Sequence, residues 1–264
     1  MTAAPPSTSD IAQFLLQQIR RAKELRAAHE ARPGGAAQRL LLREWQAARL
    51  ARTHKDLLSD PEYRPGAEFF LSDLYGLQDT TKRDAALERI YPTMVKMLPA
   101  DALHGVGLAV ELDAVSEELD AQLLDVLVQQ LGLRDAITEA AYVEAYRRCD
   151  NYVLRQHQIE LVRQVGEDLA LVVGKPMVYR VLRAMRGPAR MAGFGELQDF
   201  LERGCESILW YRKDYAAIGA GLLPARIPNK SNQRFTLVVI RKFSFTCSRP
   251  LVPIRRANSG CVSR

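Results

Sequence analysis

The chain has 264 residues and a formal net charge of +6, with 47% hydrophobic and 26% charged residues. These values are typical of a soluble globular protein with its own core. No apolar run approaches the roughly 20 residues that span a bilayer, and the N-terminal MTAAPPSTSD lacks the features of a secretory signal. The four cysteines form no Cys-x-x-Cys pair, which indicates neither a zinc ribbon nor a thioredoxin-type redox pair. Because an export signal is missing, the sequence predicts a cytoplasmic protein with free thiols.

The positive charge is concentrated at the C-terminal end. From Tyr215 to Arg264 there are nine lysines and arginines and no acidic residue, which leaves 28 basic and 31 acidic side chains in residues 1–214. The larger part of the chain therefore carries a net charge of −3 and does not support a nucleic-acid-binding function.

Apolar residues recur with helical spacing through residues 10–212, and no strand-like alternation interrupts them. Ser9 or Asp10 is the expected cap of the first helix, and Pro92 is expected to kink or split a later one. The predicted helices cover about 10–31, 36–58, 67–75, 80–98, 101–131, 134–149, 151–173, 177–186 and 195–212. The fold prediction is an all-α, irregular multi-helix bundle with a long central helix at about 101–131.

This pattern divides the chain into a disordered leader at 1–9, a single all-α domain at 10–212 and a basic tail at 213–264. Three interpretations of the tail stay open. It is a disordered arm that binds nucleic acid, or a weak hairpin built from 235–240 and 243–246, or a translated shifted reading frame that is not native sequence.

The segment Phe69–Gly76 reads FFLSDLYG and follows Arg52-Thr53-His54-Lys55-Asp56 and Tyr63-Arg64-Pro65. This block resembles an uncharacterised family of bacterial proteins named after an FFLEELY-type motif, with Ser72 and Asp73 in place of two glutamates. Similar segments extend over about 11–212. The resemblance implies a helical, cytosolic, bacterial protein and transfers no catalytic residue.

The aromatic and acidic residues of this motif suggest a polar pocket. Phe69, Phe70, Leu71 and Leu74 cover most of a short helix, so the helix is predicted to be buried, and the Asp73 carboxylate on it needs a cationic partner. Nearby candidates are Arg49, Arg52, Arg64 and Arg83. Asp73 is expected to form a structural ion pair, and the alternative is a ligand pocket with these candidate residues: His54, Glu68, Asp73, Tyr75 and Glu111.

The sequence predicts no metal site and no cofactor. A di-iron bundle needs a Glu-x-x-His pair on each of two helices, and the chain contains none. The nearest pairs are His157 with Glu160 and His104 with Glu111, and the four histidines, His29 included, are expected to be surface residues.

Two further features have ordinary structural interpretations. The acids of the long helix, from Asp113 to Asp125, are expected to form a solvated outer face. The Gly-rich region 187–195 lacks the strand and spacing of a phosphate-binding loop and is predicted to be a corner between helices. Cys149 and Cys205 are expected to be packed side chains rather than nucleophiles.

The sequence-based hypothesis is a protein of unassigned function that acts as a protein–protein interaction or self-associating module and has no membrane partner. A helical-bundle enzyme or small-ligand binder is the alternative. Nucleic-acid contact through the basic tail is a second alternative.

Overall fold

The computed structural model of the chain describes residues 7–61, 63–74, 81–173 and 176–210. All regular elements in these ranges are helical, which confirms the prediction of an all-α bundle. The α-helices of the described residues are α1 (Thr8–Glu30), α2 (Gly35–Thr53), α3 (Lys55–Ser59), α4 (Arg64–Phe69), α5 (Thr81–Met97), α6 (Ala100–Asp125), α7 (Glu139–Cys149), α8 (Tyr152–Val173), α9 (Pro176–Ala184), α10 (Arg186–Met191) and α11 (Gly195–Trp210). Two π-helical segments, Phe70–Leu74 and Val126–Gln130, continue α4 and α6.

The N-terminus of α1 lies earlier than the sequence suggested. Ser7 caps the helix, since its hydroxyl accepts a hydrogen bond from the Asp10 amide at 3.2 Å and its own amide donates to the Asp10 carboxylate at 3.0 Å. This reciprocal pair is a capping box, so residues 7–9 belong to the cap and first turn rather than to a leader. Residues 1–6 lie outside the described ranges.

The turn between α1 and α2 lies at Pro33-Gly34-Gly35, in the gap predicted between the helices at about 10–31 and 36–58. Gly34 has a φ of 73°, a left-handed conformation that favours glycine. A Cβ atom on Gly35 would lie 2.1 Å from the His29 carbonyl oxygen, so no larger residue fits there. The two glycines allow α2 to begin directly against the end of α1.

The long central helix is confirmed, with α6 and its π-helical continuation reaching Gln130. Pro92 was expected to kink or split its helix. It lies inside α5 and does not split it. Tertiary contacts support α5 on both sides of the proline, because the Tyr91 hydroxyl donates to the Ala12 carbonyl at 2.9 Å and Leu87, Tyr91 and Met94 pack on the core.

Apolar clusters of the described residues lie along α6. Its first half packs on α1, where Gly107 allows the Phe14 ring to approach closely. Its middle packs on α8 through Val115, Leu119 and Leu161. Its end packs on α2 and α7, where the Trp45 and Tyr142 rings stack with centroids 4.2 Å apart. The central helix therefore contacts α1, α2, α7 and α8.

The remaining elements differ from the predictions in detail. The helix predicted from about residue 134 begins at Glu139, where the Thr138 hydroxyl caps it. The predicted Gly-rich corner contains the short helix α10. Residues 174–175 and 211–264, and with them the β-prone segment at 235–246, lie outside the described ranges. Among the described helices, none has both the length and the apolar character needed to cross a membrane.

Candidate functional site

Asp73, the central candidate of the predicted pocket, forms an ion pair with a distant residue. Its carboxylate accepts hydrogen bonds from Arg203 on α11, at 2.6 Å from Nη2 and 2.8 Å from Nε, and from Ser72 Oγ at 2.8 Å. The Asp73 side chain is only 5% exposed. The Phe69 and Phe200 rings pack beside this pair with centroids 5.6 Å apart. The ion pair therefore fixes the π-helical segment Phe70–Leu74 against α11.

The sequence-based choice of partners for Asp73 was wrong. Arg49 instead packs its guanidinium over the rings of Trp45 and Tyr142, and Arg64 donates to the Leu58 carbonyl at 3.0 Å. The true partner is 130 residues away along the chain. A search restricted to neighbouring residues does not find such a contact.

The other candidate pocket residues lie in different surroundings. Glu111 on α6 accepts a hydrogen bond from His157 Nε2 of α8 at 2.9 Å, whereas the sequence paired His157 with Glu160. His54 is buried at the junction of α2 and α3, and Glu68 is exposed on α4. Tyr75 lies outside the described residues. The hydrogen bonds of Asp73 and Glu111 thus lead to different helices, α11 and α8.

Most of the α6 acids that were expected on a solvated outer face are partly covered and paired with residues of other helices, which corrects the sequence-based expectation. Asp125 fits that expectation better, because its ion pair with Arg32 is exposed. Glu117 is 14% exposed and forms ion pairs with Arg26 of α1 and Arg39 of α2. Arg26 is 7% exposed and also pairs with Asp113. Asp113 and Glu117 lie one helical turn apart on α6, so their carboxylates form one stripe that contacts arginines of α1 and α2. The charges join α1, α2 and α6 inside the bundle.

The same polar layer continues along α6 to Asp120. Gln46 Nε2 of α2 donates to the Asp120 carboxylate at 2.9 Å. Burial raises the pKa of Asp120, which this hydrogen bond and the cations Arg155 and Arg43 counteract. Burial likewise lowers the pKa of Arg43. The layer is a set of compensating charges rather than an open site.

Two histidines are buried, contrary to the expectation that all four lie at the surface. His29 and His54 are each 5% exposed. Burial and the nearby cations Arg32 and Arg39 lower the pKa of His29, so the ring is neutral at physiological pH. The His104 ring stacks against Phe14 with centroids 6.3 Å apart. The stacking contact assigns a packing role to His104, whereas His29 is a buried, neutral ring.

The part of the chain that the structure describes contains neither a metal-ligand cluster nor an activated thiol. No group of three or more His, Cys, Asp or Glu side chains there is arranged to hold a metal ion. Burial raises the pKa of the Cys205 thiol to about 11, with Glu206 and Glu202 contributing, and burial also raises the pKa of Cys149. Both thiols are therefore protonated at neutral pH, which disfavours nucleophilic roles for them.

An exposed apolar face on α9 is the feature that sequence analysis missed. Met177, Val181 and Met185 are 73%, 55% and 48% exposed. They follow one another at intervals of four residues, so they lie along one side of the helix and its C-terminal extension. We call these three residues the methionine face. Large apolar side chains grouped in this way on a surface are typical of interaction sites.

The opposite side of α9 is firmly attached to α11. The Tyr179 hydroxyl donates to Glu206 Oε1 at 2.9 Å, and Gln198 Nε2 donates to the Leu182 carbonyl at 2.6 Å. Arg186, just after α9, forms an ion pair with the buried Glu202. The methionine face is therefore the outer side of an anchored helix and not a frayed end.

The sequence does contain a signal for this face. The apolar residues of α9 cover one broad arc that includes Val178. Tyr179 and Leu182 form a stripe at one edge of this arc, and the methionine face forms a stripe at the other edge. A nine-residue helix on the outside of a bundle can bury only one of them. Which stripe is buried depends on α11, so the tertiary structure was needed to identify the exposed one.

Comparisons with known proteins place the chain in a family without giving it an activity. A protein-family model described as "Domain of unknown function (DUF8198)" matches residues 25–213. The match includes α9, α10 and α11 and begins within α1. No curated protein and no solved structure matches the chain.

Proposed function

The chain belongs to this DUF8198 family, and we propose that it is a protein-interaction module whose binding surface is the methionine face. The observation that carries the proposal is the exposure of Met177, Val181 and Met185 on one side of an anchored helix. Burial of apolar surface is the dominant favourable term in most protein–protein association. A partner that covers these side chains would gain that free energy without having to order α9 first.

Photocrosslinking tests this function directly. A photoreactive p-benzoyl-phenylalanine at position 181 should give a discrete crosslinked adduct in cells of the source organism. The matched control carries the same residue at position 153, because Val153 on α8 is 86% exposed and lies away from α9. A Met177→Asp/Met185→Asp background should remove the adduct. Equal labelling from both positions, or no adduct from position 181, would contradict the proposal.

Self-association is distinguished in the same experiment. An adduct with twice the mass of the chain identifies a second copy as the partner, whereas any other mass identifies a different protein. Sedimentation of the purified protein over a range of concentrations checks this result independently.

A small-ligand site near FFLSDLYG is the second candidate function. It is supported by the nearly buried Asp73 carboxylate and by the π-helical geometry of Phe70–Leu74, since π-helical segments are frequent at functional sites. Residues His54, Glu68, Tyr75 and Glu111 are the other proposed contributors. A metabolite at about 100 times its dissociation constant adds about 2.7 kcal/mol of stability, which a thermal-shift screen detects, and elemental analysis reveals any bound metal. A screen without shifts and a metal-free protein would contradict this candidate.

Three further proposals concern the name of the family, the cellular location and the function of the basic tail. We propose that the matched family is the one named after the FFLEELY-type motif, because Phe69–Gly76 falls within residues 25–213. Bacterial origin and a cytoplasmic location come with that resemblance. Nucleic-acid contact through the basic residues after Tyr215 predicts salt-sensitive retention on immobilised DNA that disappears when 224–264 are deleted.

A further inference from the structure

The His29 ring is a buried polar group that forms no hydrogen bond in the bundle. It lies in the last turn of α1 and is 5% exposed. Neither ring nitrogen has a hydrogen-bond partner within the part of the chain that the structure describes. A neutral imidazole carries one donor and one acceptor, so both are unsatisfied here. Protonation of the ring would cost more still, because a buried cation needs a partner.

Two cations lie close to this ring. Arg32 follows His29 in the turn after α1, and Arg39 belongs to α2. Burial lowers the pKa of His29 most, and Arg32 and Arg39 lower it further. A protonated ring would therefore lose its hydration and would also face two like charges.

The carboxylates near the ring are engaged with these same arginines. Asp125 of α6 acts to raise the pKa of the ring, but it forms an ion pair with Arg32. Arg39 pairs with Glu117 of α6, and Glu30 of α1 lies 3.8 Å from the Arg39 guanidinium. The charges of both arginines are thus compensated, and a protonated ring would have to compete with Arg32 for Asp125.

The ring lies at a hinge between two helices. Gly34 has a φ of 73° and provides no side-chain cap for α2. The Gly35 backbone contacts the backbone of His29, since a Cβ atom there would lie 2.1 Å from the His29 carbonyl oxygen. Farther along, Gln46 of α2 donates to Asp120 of α6 at 2.9 Å. An opening of this junction would therefore be limited to the start of α2.

We propose that His29 is a pH-sensitive switch at this junction, and that protonation of its ring releases the first turn of α2 from the end of α1. In the open junction the ring reaches water and binds a proton as a free histidine does, at a pKa of about 6.5. In the closed junction the pKa of the ring is lower. The closed junction is therefore favoured above about pH 6.5 and loses this advantage as the pH falls.

Hydrogen exchange of the full-length protein measures the opening directly. The Gln38 amide donates to the Gly34 carbonyl at 3.0 Å and reports on the first turn of α2. After correction for the intrinsic pH dependence of exchange, its protection should fall about tenfold between about pH 7.5 and about pH 5.5. Amides in the middle of α8 should keep their protection over this range. A fall that is equal in α2 and α8 would overturn the inference, because it would report global unfolding.

Variants of the ring test its role. His29→Gln and His29→Leu both remove the titratable group, and the leucine also removes the unsatisfied polar atoms. Each should abolish the acid-induced loss of protection at Gln38, and circular dichroism checks the fold of each. The matched control is His157→Gln, because this exposed histidine contacts Glu111 on other helices, and it should keep the full loss at Gln38. A loss that persists in the His29 variants would overturn the inference.

Ring chemical shifts of the histidine-labelled natural protein give a test that needs no substitution. The His29 ring should become protonated only over the pH range in which the Gln38 amide loses its protection. Protonation of His29 while Gln38 stays protected would overturn the inference, because the closed junction would then accept the charge. Unchanged protection of Gln38 down to about pH 5.5 would overturn it as well.

Discussion

At the scale of single residues, ion pairs between charged side chains connect helices that are far apart in the sequence. Asp73 and Glu117 each accept hydrogen bonds from arginines of other helices, and neither partner lies nearby in the sequence. A carboxylate that is almost fully covered must be paired, since an unpaired buried charge is costly. The arginine partners therefore determine stability as well as geometry.

Loss of the Arg203 side chain should destabilise the protein. Arg203→Ala leaves the 5%-exposed Asp73 carboxylate with Ser72 as its remaining side-chain donor among the described residues, and we expect a loss of about 1–3 kcal/mol in urea unfolding. Arg190→Ala is the matched control, because both side chains of its pair with Asp199 are well exposed, and it should cost less than about 1 kcal/mol. Equal losses in the two variants would contradict a structural role for the Asp73–Arg203 pair.

Removal of the Glu117 charge should have a larger effect. Glu117→Gln leaves Arg26 with Asp113 and deprives the poorly exposed Arg39 of a close partner, so we expect a loss of about 3 kcal/mol. Glu144→Gln breaks an exposed pair with Arg148 within one helix and should cost no more than about 0.5 kcal/mol. Chemical denaturation measures both values, and a cost for Glu117→Gln as small as that of Glu144→Gln would show that the polar layer is not stabilising.

The Cys205 thiol should make stability depend on alkaline pH. Its pKa is raised from 9.0 to about 11 in the folded protein, so the unfolded chain loses the proton at lower pH than the folded one. The free energy of unfolding should therefore fall as the pH rises from about 9 to about 11. Cys205→Ala should show a shallower fall over the same range. Parallel curves for the two proteins would show that the thiol is not shielded.

At the scale of elements, the close approach of α1 and α6 depends on a glycine. A Cβ atom at position 107 would lie 2.8 Å from Cε1 of Phe14, so Gly107→Ala must displace the ring that stacks on His104. We expect a cost of about 1–3 kcal/mol in thermal or urea unfolding.

A second glycine provides the control for this effect. Gly187 in α10 has open space where a Cβ would be placed, so Gly187→Ala should be neutral or stabilise by up to about 1 kcal/mol. If both alanine variants behaved alike, helix propensity rather than close packing would explain the Gly107 result.

Element boundaries show what local sequence can and cannot predict. The break at Gly34–Gly35 and the long helix from Ala100 were predictable, because glycine conformation and apolar periodicity are local properties. The start of α1 was placed two or more residues too late, and the continuation of α5 through Pro92 depends on Tyr91 contacting another helix. The methionine face could not be predicted from local sequence either, because contact with α11 determines which side of α9 is covered.

At the scale of the whole molecule, α6 contacts α1, α2, α7 and α8, and α11 contacts α4, α9 and α10. We propose that residues 10–212 form a single domain, and we expect residues 1–212 to fold without the basic tail. A protein truncated after residue 212 should retain a helical circular dichroism spectrum and a single cooperative melting transition. The full-length chain is the control, and its melting temperature should differ little. Loss of cooperativity on truncation would contradict the division at about residue 212.

The sequence by itself determined that this protein is helical, where its longest helix lies and that its positive charge is confined to the C-terminal end, because periodicity and composition are properties of neighbouring residues. Only the tertiary structure decided that Asp113 and Glu117 pair with arginines of α1 and α2, that Asp73 contacts Arg203 and that Met177, Val181 and Met185 face outward. The physical reason is that burial and ion pairing depend on which helices pack together, and the contacts that determine this join residues far apart in the chain.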